Sequence, residues 1–337
     1  MASAVTNTPA QIDAILKRWP RILVTGAGGQ LGRAFKRLFN AHPIASRPAA
    51  TEIFFSDLTG DVEICNLADE ADILRLLDRT RPDLILNPGA YTAVDKAESE
   101  PDLARAVNTA APATFARWAK SHGATLVHYS TDYVFDGTGT KPWKEADPTG
   151  PASVYGQTKL DGERAMLETG VSGAIFRTSW VYSDEGHNFI KTMLRLAAER
   201  EELRVVADQI GVPTNAHFLA RMTVHALSHW AAPSVNGSRG NGAPSARIWH
   251  LVPRGEISWH QFAEKIIATA RQTGMTLKAA KVTPITTADY PTPARRPLNS
   301  RLDCTRFETD FSVRLDDWTT GFDEVMRSLV SSNTAVT

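Results

Sequence analysis

The sequence predicts an α/β fold, a doubly wound parallel sheet carrying a second, smaller α/β domain for substrate. Three observations predict it. Short apolar runs alternate with longer helix-period segments from Arg21 to about Thr169. The first four runs are almost continuously apolar, as strands covered on both faces are. A glycine-rich turn, "VTGAGGQLG", joins the first run to the first helical segment. Strands that alternate with helices make βαβ units and hence a parallel sheet.

The first 20 residues, "MASAVTNTPAQIDAILKRWP", form an extension. It is either a loose tail or a small helix in which Ile12, Ile15, Leu16 and Trp19 share a face. It lacks the basic and apolar regions of a secretory signal. The expected strands are Arg21–Gly26, Glu52–Asp57, Asp83–Gly89, Thr125–Thr131 and Gly173–Ser179. Helices are expected at about Gln30–Asn40, Asp69–Arg79, Glu98–His122 and Ser153–Thr169. Past Trp180 the expectation is a helix at Asn188–Arg200, a strand "LRVVAD", a helix at Ala216–Trp230, a strand "RIWHLV" and a helix at Ser258–Arg271. "AAPSVNGSRGNGAPSA" (231–246) reads as an exposed, mobile inserted loop. "YPTPARRPLNS" is broken by prolines and cannot be a regular helix. The expected division is residues 1–20 as extension and 21–180 as dinucleotide-binding domain, with a returning segment at about 205–232. Residues 181–204 and 233–331 form the substrate domain.

The chain has 337 residues, 42% apolar, with a net charge of zero. A neutral chain whose longest basic run is Arg295-Arg296 suits neither a nucleic-acid groove nor an anionic membrane surface. No apolar run approaches the roughly 18 residues of a membrane span. Cys65 and Cys304 stand far apart and form no CxxC, which suits a reducing compartment and gives no zinc signature. A cytoplasmic protein is expected.

Gly26, Gly29 and Gly32 follow the spacing G-x-x-G-x-x-G. Such a loop allows a tight turn, close backbone approach to a pyrophosphate, and a helix N-terminus that favours an anion. The fold is therefore expected to be Rossmann-like, with the dinucleotide on Gly26, Gly29 and Gly32. Asp57 ends the second strand. A carboxylate there bonds the adenosine ribose and repels a 2′-phosphate, or it is an ordinary loop aspartate. Asn66 and Leu67 are candidate adenine neighbours. "NPGAYTA" ends the third strand and places Gly89, Ala90 and Tyr91 where backbone can pass close to the dinucleotide.

Ligands bind at the carboxyl ends of strands in a doubly wound sheet. "YSTDYVFDG" ends the fourth, which places Thr131, Asp132 and Tyr133 at the crevice. On the next helix Tyr155 and Lys159 are four residues apart and share a face. A free tyrosine titrates near pH 10, and an efficient proton donor has its pKa closer to 7. That shift is worth roughly 4 kcal/mol. An ammonium about 4 Å away in water supplies only about 1 kcal/mol. Lys159 must therefore act in a dry cleft, beside the cationic oxidised nicotinamide.

Together these residues resemble the extended branch of the short-chain dehydrogenase/reductase superfamily. "GGQLG", "AYTAVDKAE", "STDYVFDG", "YGQTKLDGE", "RTSWVY", "VVADQIGVPT" and "YPTPARRPLNS" resemble the dTDP-4-dehydrorhamnose reductase family from about Arg21 to Leu329. The resemblance implies NADPH- or NADH-dependent reduction of the 4-keto group of dTDP-4-dehydro-L-rhamnose, for surface polysaccharide. Tyr155 is then the proton donor. Lys159 bonds the nicotinamide ribose and lowers the tyrosine pKa, and Thr131 helps hold the ketone oxygen. The implied cofactor contacts are Gly29, Gln30 and Leu31 at the pyrophosphate, Asn66 and Leu67 at adenine, and Ala90, Tyr91, Thr92 and Tyr129 farther along. Implied sugar-nucleotide contacts are Thr92, Val94, Asp132, Tyr133 and Trp180. Arg295 or Arg296 is the candidate for the diphosphate, because guanidinium suits phosphate oxygens.

Some members of the family hold magnesium between three glutamates at a dimer interface. Ala34, His217 and Ser328 stand at the matching positions, and none is a carboxylate. No such metal is expected, and a monomer, or a dimer built differently, is favoured. Two alternatives stay open. One is an epimerase or dehydratase of the same fold, although Tyr133 stands where a dehydratase glutamate would be. The other is a non-catalytic module like the regulatory subunit of methionine adenosyltransferase.

Overall fold

A computed structural model describes residues 9–43, 47, 48, 50–230 and 245–334. The 231–246 insertion lies outside the described residues, except for Ser245 and Ala246. Seven parallel strands form the central sheet: β1 (Arg21–Val24), β2 (Glu52–Asp57), β3 (Glu63–Ile64), β4 (Leu84–Asn87), β5 (Thr125–Thr131), β6 (Ser172–Thr178) and β7 (Arg247–His250). Their spatial order is β7-β6-β5-β4-β1-β2-β3. The order reverses between β1 and β4, the switch point where ligands of such sheets bind.

Helices cover both faces. Proline-initiated α1 (Pro9–Arg18), α2 (Gln30–Ala41) and, much later, α7 (Ala216–Ser228) pack on one. On the other lie α3 (Glu70–Thr80), α4 (Ala111–His122) and α5 (Val154–Glu168). The extension thus takes the helical alternative. Ile12, Ile15, Leu16 and Trp19 are buried on the sheet side with Phe35, Phe39 and Leu227. Trp19 Nε1 also donates to Thr125 Oγ1.

Local chemistry explains the boundaries. Asp69 caps α3 by accepting from Ala71 and Asp72, and Ser153 caps α5 by accepting from Gly156. Such caps satisfy otherwise orphaned N–H groups. The single helix expected over Glu98–His122 is instead Pro101–Arg105, a π-helical turn at Ala106–Ala110, and α4. Pro101 and Pro112 lack the N–H an unbroken helix needs and sit at the starts of their pieces.

A smaller lobe builds on α6 (Phe189–Glu199), α8 (Trp259–Gln272) and α9 (Trp318–Thr334). It has its own core, centred on Phe262, Ile266 and Phe322. Glu202–Val206 pairs there with Lys281–Ile285. The expected division needs one correction. Arg247–His250, placed by sequence in the substrate domain, pairs with β6 as the seventh strand of the main sheet. Its run is only four residues long, so periodicity alone could not assign it to either lobe.

Candidate active site

The glycine turn is shaped by contacts that leave no room for side chains. Gly26 has φ +58°, and a Cβ there would lie 2.7 Å from Gly89 Cα. A Cβ on Gly32 would lie 2.1 Å from the Gly26 carbonyl oxygen, so α2 can begin this close to β1 only with glycine. Gly29 caps α2 without a side-chain acceptor, which leaves the helix N–H groups for an anion. These features fit a dinucleotide pyrophosphate. Gln30 ties the turn to the smaller lobe, donating to the Val181 carbonyl and accepting from Asn188. The Leu31 side chain is buried in the core.

Asp57 stands beside the turn and accepts from the Gly28 and Leu58 N–H groups, each at 2.7 Å. Asp57→Asn keeps an oxygen acceptor but removes a negative charge that would repel a 2′-phosphate bound beside it. The ratio of kcat/KM for NADPH to that for NADH is expected to rise about tenfold. An unchanged ratio would show that Asp57 does not read the coenzyme. Asn66 Oδ1 accepts from Ala68 N, in a turn leading to α3. Leu67 packs close over Gly89. Tyr91 is anchored by both backbone groups to Asn108 in the π-helical turn, with its hydroxyl on Glu100. Ala90 and Val94 are half-buried and Thr92 is exposed.

At the end of β5, Thr131 Oγ1 donates to Asp132 Oδ1 at 3.0 Å and accepts from Tyr133 N at 3.2 Å. The half-buried Tyr155 ring meets Tyr133 edge-on at 5.5 Å. Burial pushes the Tyr155 phenol above its ordinary range, Asp132 pushes it further, and the Thr131 hydroxyl pulls it back. Burial also raises the Asp132 carboxyl, to about 6.

Lys159 is only 2% exposed. It donates to the Tyr129 carbonyl at 2.6 Å, with His128 Nε2 at 3.3 Å. Burial lowers its pKa to about 8, partly offset by Glu163. The sequence argument expects Lys159 to lower the Tyr155 pKa. In the chain alone that shift has the opposite sign, because burial and Asp132 govern it.

The Tyr129 ring packs against Phe35 and Phe176, and its hydroxyl bonds Thr223. Its contribution to the site is the carbonyl that holds Lys159.

The smaller lobe supplies the opposite wall. Trp180, with φ +49°, adopts a backbone conformation that costs a non-glycine residue about 1–3 kcal/mol. It stacks on Trp259 at 3.6 Å and lies against Gly211, where a Cβ would come within 2.7 Å of the ring. The Tyr290–Ser300 segment crosses between lobes. Arg296, rather than exposed Arg295, reaches inward, donating to Tyr133 Oη at 3.2 Å and pairing with Asp95 at 2.5 Å. Ser300 bears on Asp132. Sequence reasoning passed over Asp95, Asn108, His128, Trp259 and Ser300. Only Asp95, within "AVDKAE", carried a signal, as a charge complement to the arginine pair.

Ala34, His217 and Ser328 line one cavity of roughly 330 Å³ with Arg37, Asp184 and Glu324. Asp184 is engaged by His217, Ser328 and Arg37. Among the described residues no cluster of three His, Cys, Asp or Glu is arranged to hold a metal, and no helix is long and apolar enough to cross a membrane.

A parallel sheet that opens on a tight glycine turn, and brings a threonine to a tyrosine and a lysine at the end of β5, defines a short-chain dehydrogenase/reductase. Comparison with known proteins narrows this. The model of the RmlD substrate binding domain family matches residues 20–331. The chain is 42% identical over 312 residues to the dTDP-4-dehydrorhamnose reductase of Shigella flexneri, covering 92% of this chain and 98% of that one. The crystal structure of a dTDP-4-dehydrorhamnose reductase from Clostridium acetobutylicum superposes with a TM-score of 0.77 at 33% identity, over 91% of this chain and 99% of that one. That of the Bacillus anthracis enzyme, in complex with NADP, gives 0.77 at 31% identity, over 92% and 99%. The chain belongs to the dTDP-4-dehydrorhamnose reductase family and is an NAD(P)H-dependent oxidoreductase.

Proposed function

We propose that this chain reduces the 4-keto group of dTDP-4-dehydro-β-L-rhamnose to give dTDP-L-rhamnose, with Tyr155 as proton donor. The observation that carries the reading is the convergence of Tyr155, Thr131 and Lys159 on the carboxyl end of β5, within a family of such reductases. Bound at the glycine turn, the nicotinamide supplies the hydride. Thr131 and Tyr155 hold the ketone oxygen. As that oxygen becomes an alkoxide, the phenol hands it a proton. Burial keeps the phenol protonated in the resting enzyme, which is the form a donor needs. An alkoxide is far more basic than a phenolate, so the transfer runs downhill even from a weakened acid. Lys159, held by the Tyr129 carbonyl and His128, has one N–H left to offer the nicotinamide ribose.

The smaller lobe binds the sugar nucleotide. Asp132, Tyr133, Thr92, Val94 and the Trp180 face line the sugar side, and Arg295 or Arg296 meets the diphosphate. Arg296 is drawn away from that role by Asp95, which leaves Arg295 to reach the phosphates from the rim. The test supplies dTDP-4-dehydrorhamnose and follows NADPH and NADH absorbance separately. Stoichiometric oxidation of at least one is expected, with dTDP-rhamnose as product. Oxidation of neither would overturn the proposal.

Ala34, His217 and Ser328 offer magnesium no carboxylate, and Asp184 beside them is already satisfied by His217, Ser328 and Arg37. The chain therefore does not form a magnesium-bridged dimer. Sedimentation is expected to be the same with magnesium and with chelator, and a dimer that appears only with magnesium would refute this.

A further inference from the structure

Four side chains buried behind the candidate site lie in one line. Thr25 Oγ1, at the end of β1, is 2.6 Å from Asn87 Oδ1, at the end of β4. Asn87 Nδ2 is 3.1 Å from His128 Nδ1 on β5. His128 Nε2 is 3.3 Å from Lys159 Nζ on α5. The line ends at the cofactor turn, because Gly89 N donates to Thr25 Oγ1, and Gly89 packs on Gly26. None of the four is more than 2% exposed. An imidazole this deeply buried is costly unless its nitrogens are bonded.

Burial and the neighbouring Lys159 hold His128 well below the ordinary histidine range, so the ring is neutral and carries one N–H. That single hydrogen sets a logic. When Lys159 is an ammonium it donates to Nε2, and the ring hydrogen must sit on Nδ1. Asn87 must then present its oxygen to the ring and its NH2 to Thr25. When Lys159 is a free amine its lone pair is available to accept from Nε2–H, which leaves Nδ1 as an acceptor. Asn87 then presents its NH2 to the ring and its oxygen to the Thr25 hydroxyl. A half-turn of the Asn87 amide exchanges the two atoms in place. The two arrangements differ by one proton, released to water as Lys159 becomes neutral. An ammonium facing Nε2–H, or an Asn87 NH2 facing Nδ1–H, sets two buried donors against each other, at about 1–3 kcal/mol.

We infer that His128 is a positioning residue for Lys159, and that the His128 tautomer and the Asn87 amide turn together with the charge on Lys159. The ring bonds Lys159 Nζ inside the buried row and ties its charge state to the end of β1, where the glycine turn starts. The other charge acting on the pair is Glu163, one turn along α5, which Arg177 from β6 clamps in place. The kinetic consequence rests on the reading of Lys159 as part of the reductase site. The structural statement does not.

The test labels the full chain with ring-¹⁵N histidine and records spectra from about pH 6 to about pH 10. The His128 signal is identified by its loss in His128→Gln. It should remain neutral throughout and pass from Nδ1–H to Nε2–H as Lys159 titrates, near pH 8. A single tautomer across the range, or an imidazolium within it, would overturn the inference. A kinetic arm compares two variants. His128→Gln can offer an amide oxygen to Lys159 and should keep kcat within about fivefold, whereas His128→Leu should lower kcat about tenfold or more with KM little changed. Equal behaviour of the two variants would also overturn it. If the native chain reduces no ketosugar, the proposed function fails, and the spectra still decide this inference.

Discussion

Tyr155→Phe is expected to lower turnover by about a hundredfold to ten-thousandfold, the range general acids contribute, while coenzyme affinity stays within about twofold. The substitution removes one oxygen. The phenylalanine ring would keep the edge-on contact that Tyr155 makes with Tyr133, and Lys159 would keep its bond to the Tyr129 carbonyl. The dinucleotide turn around Gly26 and Gly32 is built without Tyr155. Loss of the donor should therefore appear in kcat and spare coenzyme binding. Single-turnover absorbance with saturating NADPH measures the first, and coenzyme fluorescence titration the second. Unchanged turnover would remove Tyr155 as the acid. Equal loss of turnover and coenzyme affinity would mean that the hydroxyl serves binding.

The second large effect is expected on stability. Arg177 and Glu163 are 3% and 1% exposed and joined by two hydrogen bonds, at 2.8 and 2.6 Å, with the guanidinium stacked over Phe135. Removing one partner leaves a buried charge uncompensated, at about 3–5 kcal/mol. Glu163→Ala should lose that much in urea unfolding. Replacing both residues by apolar ones, as in Glu163→Leu with Arg177→Met, should recover most of it, because the desolvation cost leaves with the pair. A loss under about 1 kcal/mol in Glu163→Ala would mean that water reaches the site. Glu163 has a second effect, because its charge holds up the Lys159 pKa against burial. In Glu163→Gln that pKa falls further below about 8, so less ammonium remains at neutral pH. Activity that depends on the ammonium should then decline at a lower pH than in the native chain.

The sheet was legible because burial on both faces writes continuous apolar runs into the chain, as in "RILV" and "LILN". Residues with fixed spacing, Gly26–Gly29–Gly32 and Tyr155–Lys159, were legible for the same reason: geometry demands the interval. What sequence could not reveal came from pairings between distant segments. β7 joins β6 across about 70 residues, and Arg296 meets Asp95 across about 200. The sign of the Tyr155 shift was hidden too. It depends on how deeply Asp132 and the phenol are buried together, which no spacing states. His128 sits in a strand where any apolar residue would satisfy the pattern, so its polar role emerged only from the contacts on its two nitrogens.

Helix α1 bears on how this protein is handled. The family's shared region begins at residue 20, just after the helix ends. A gene trimmed to that boundary would lose Ile12, Ile15, Leu16 and Trp19 and uncover the apolar surface of α2 and α7 that they cover. Bare apolar surface of that kind drives self-association. The helix therefore acts as a cover for that apolar face, and a chain cut at the start of the shared region is expected to self-associate more than the full chain.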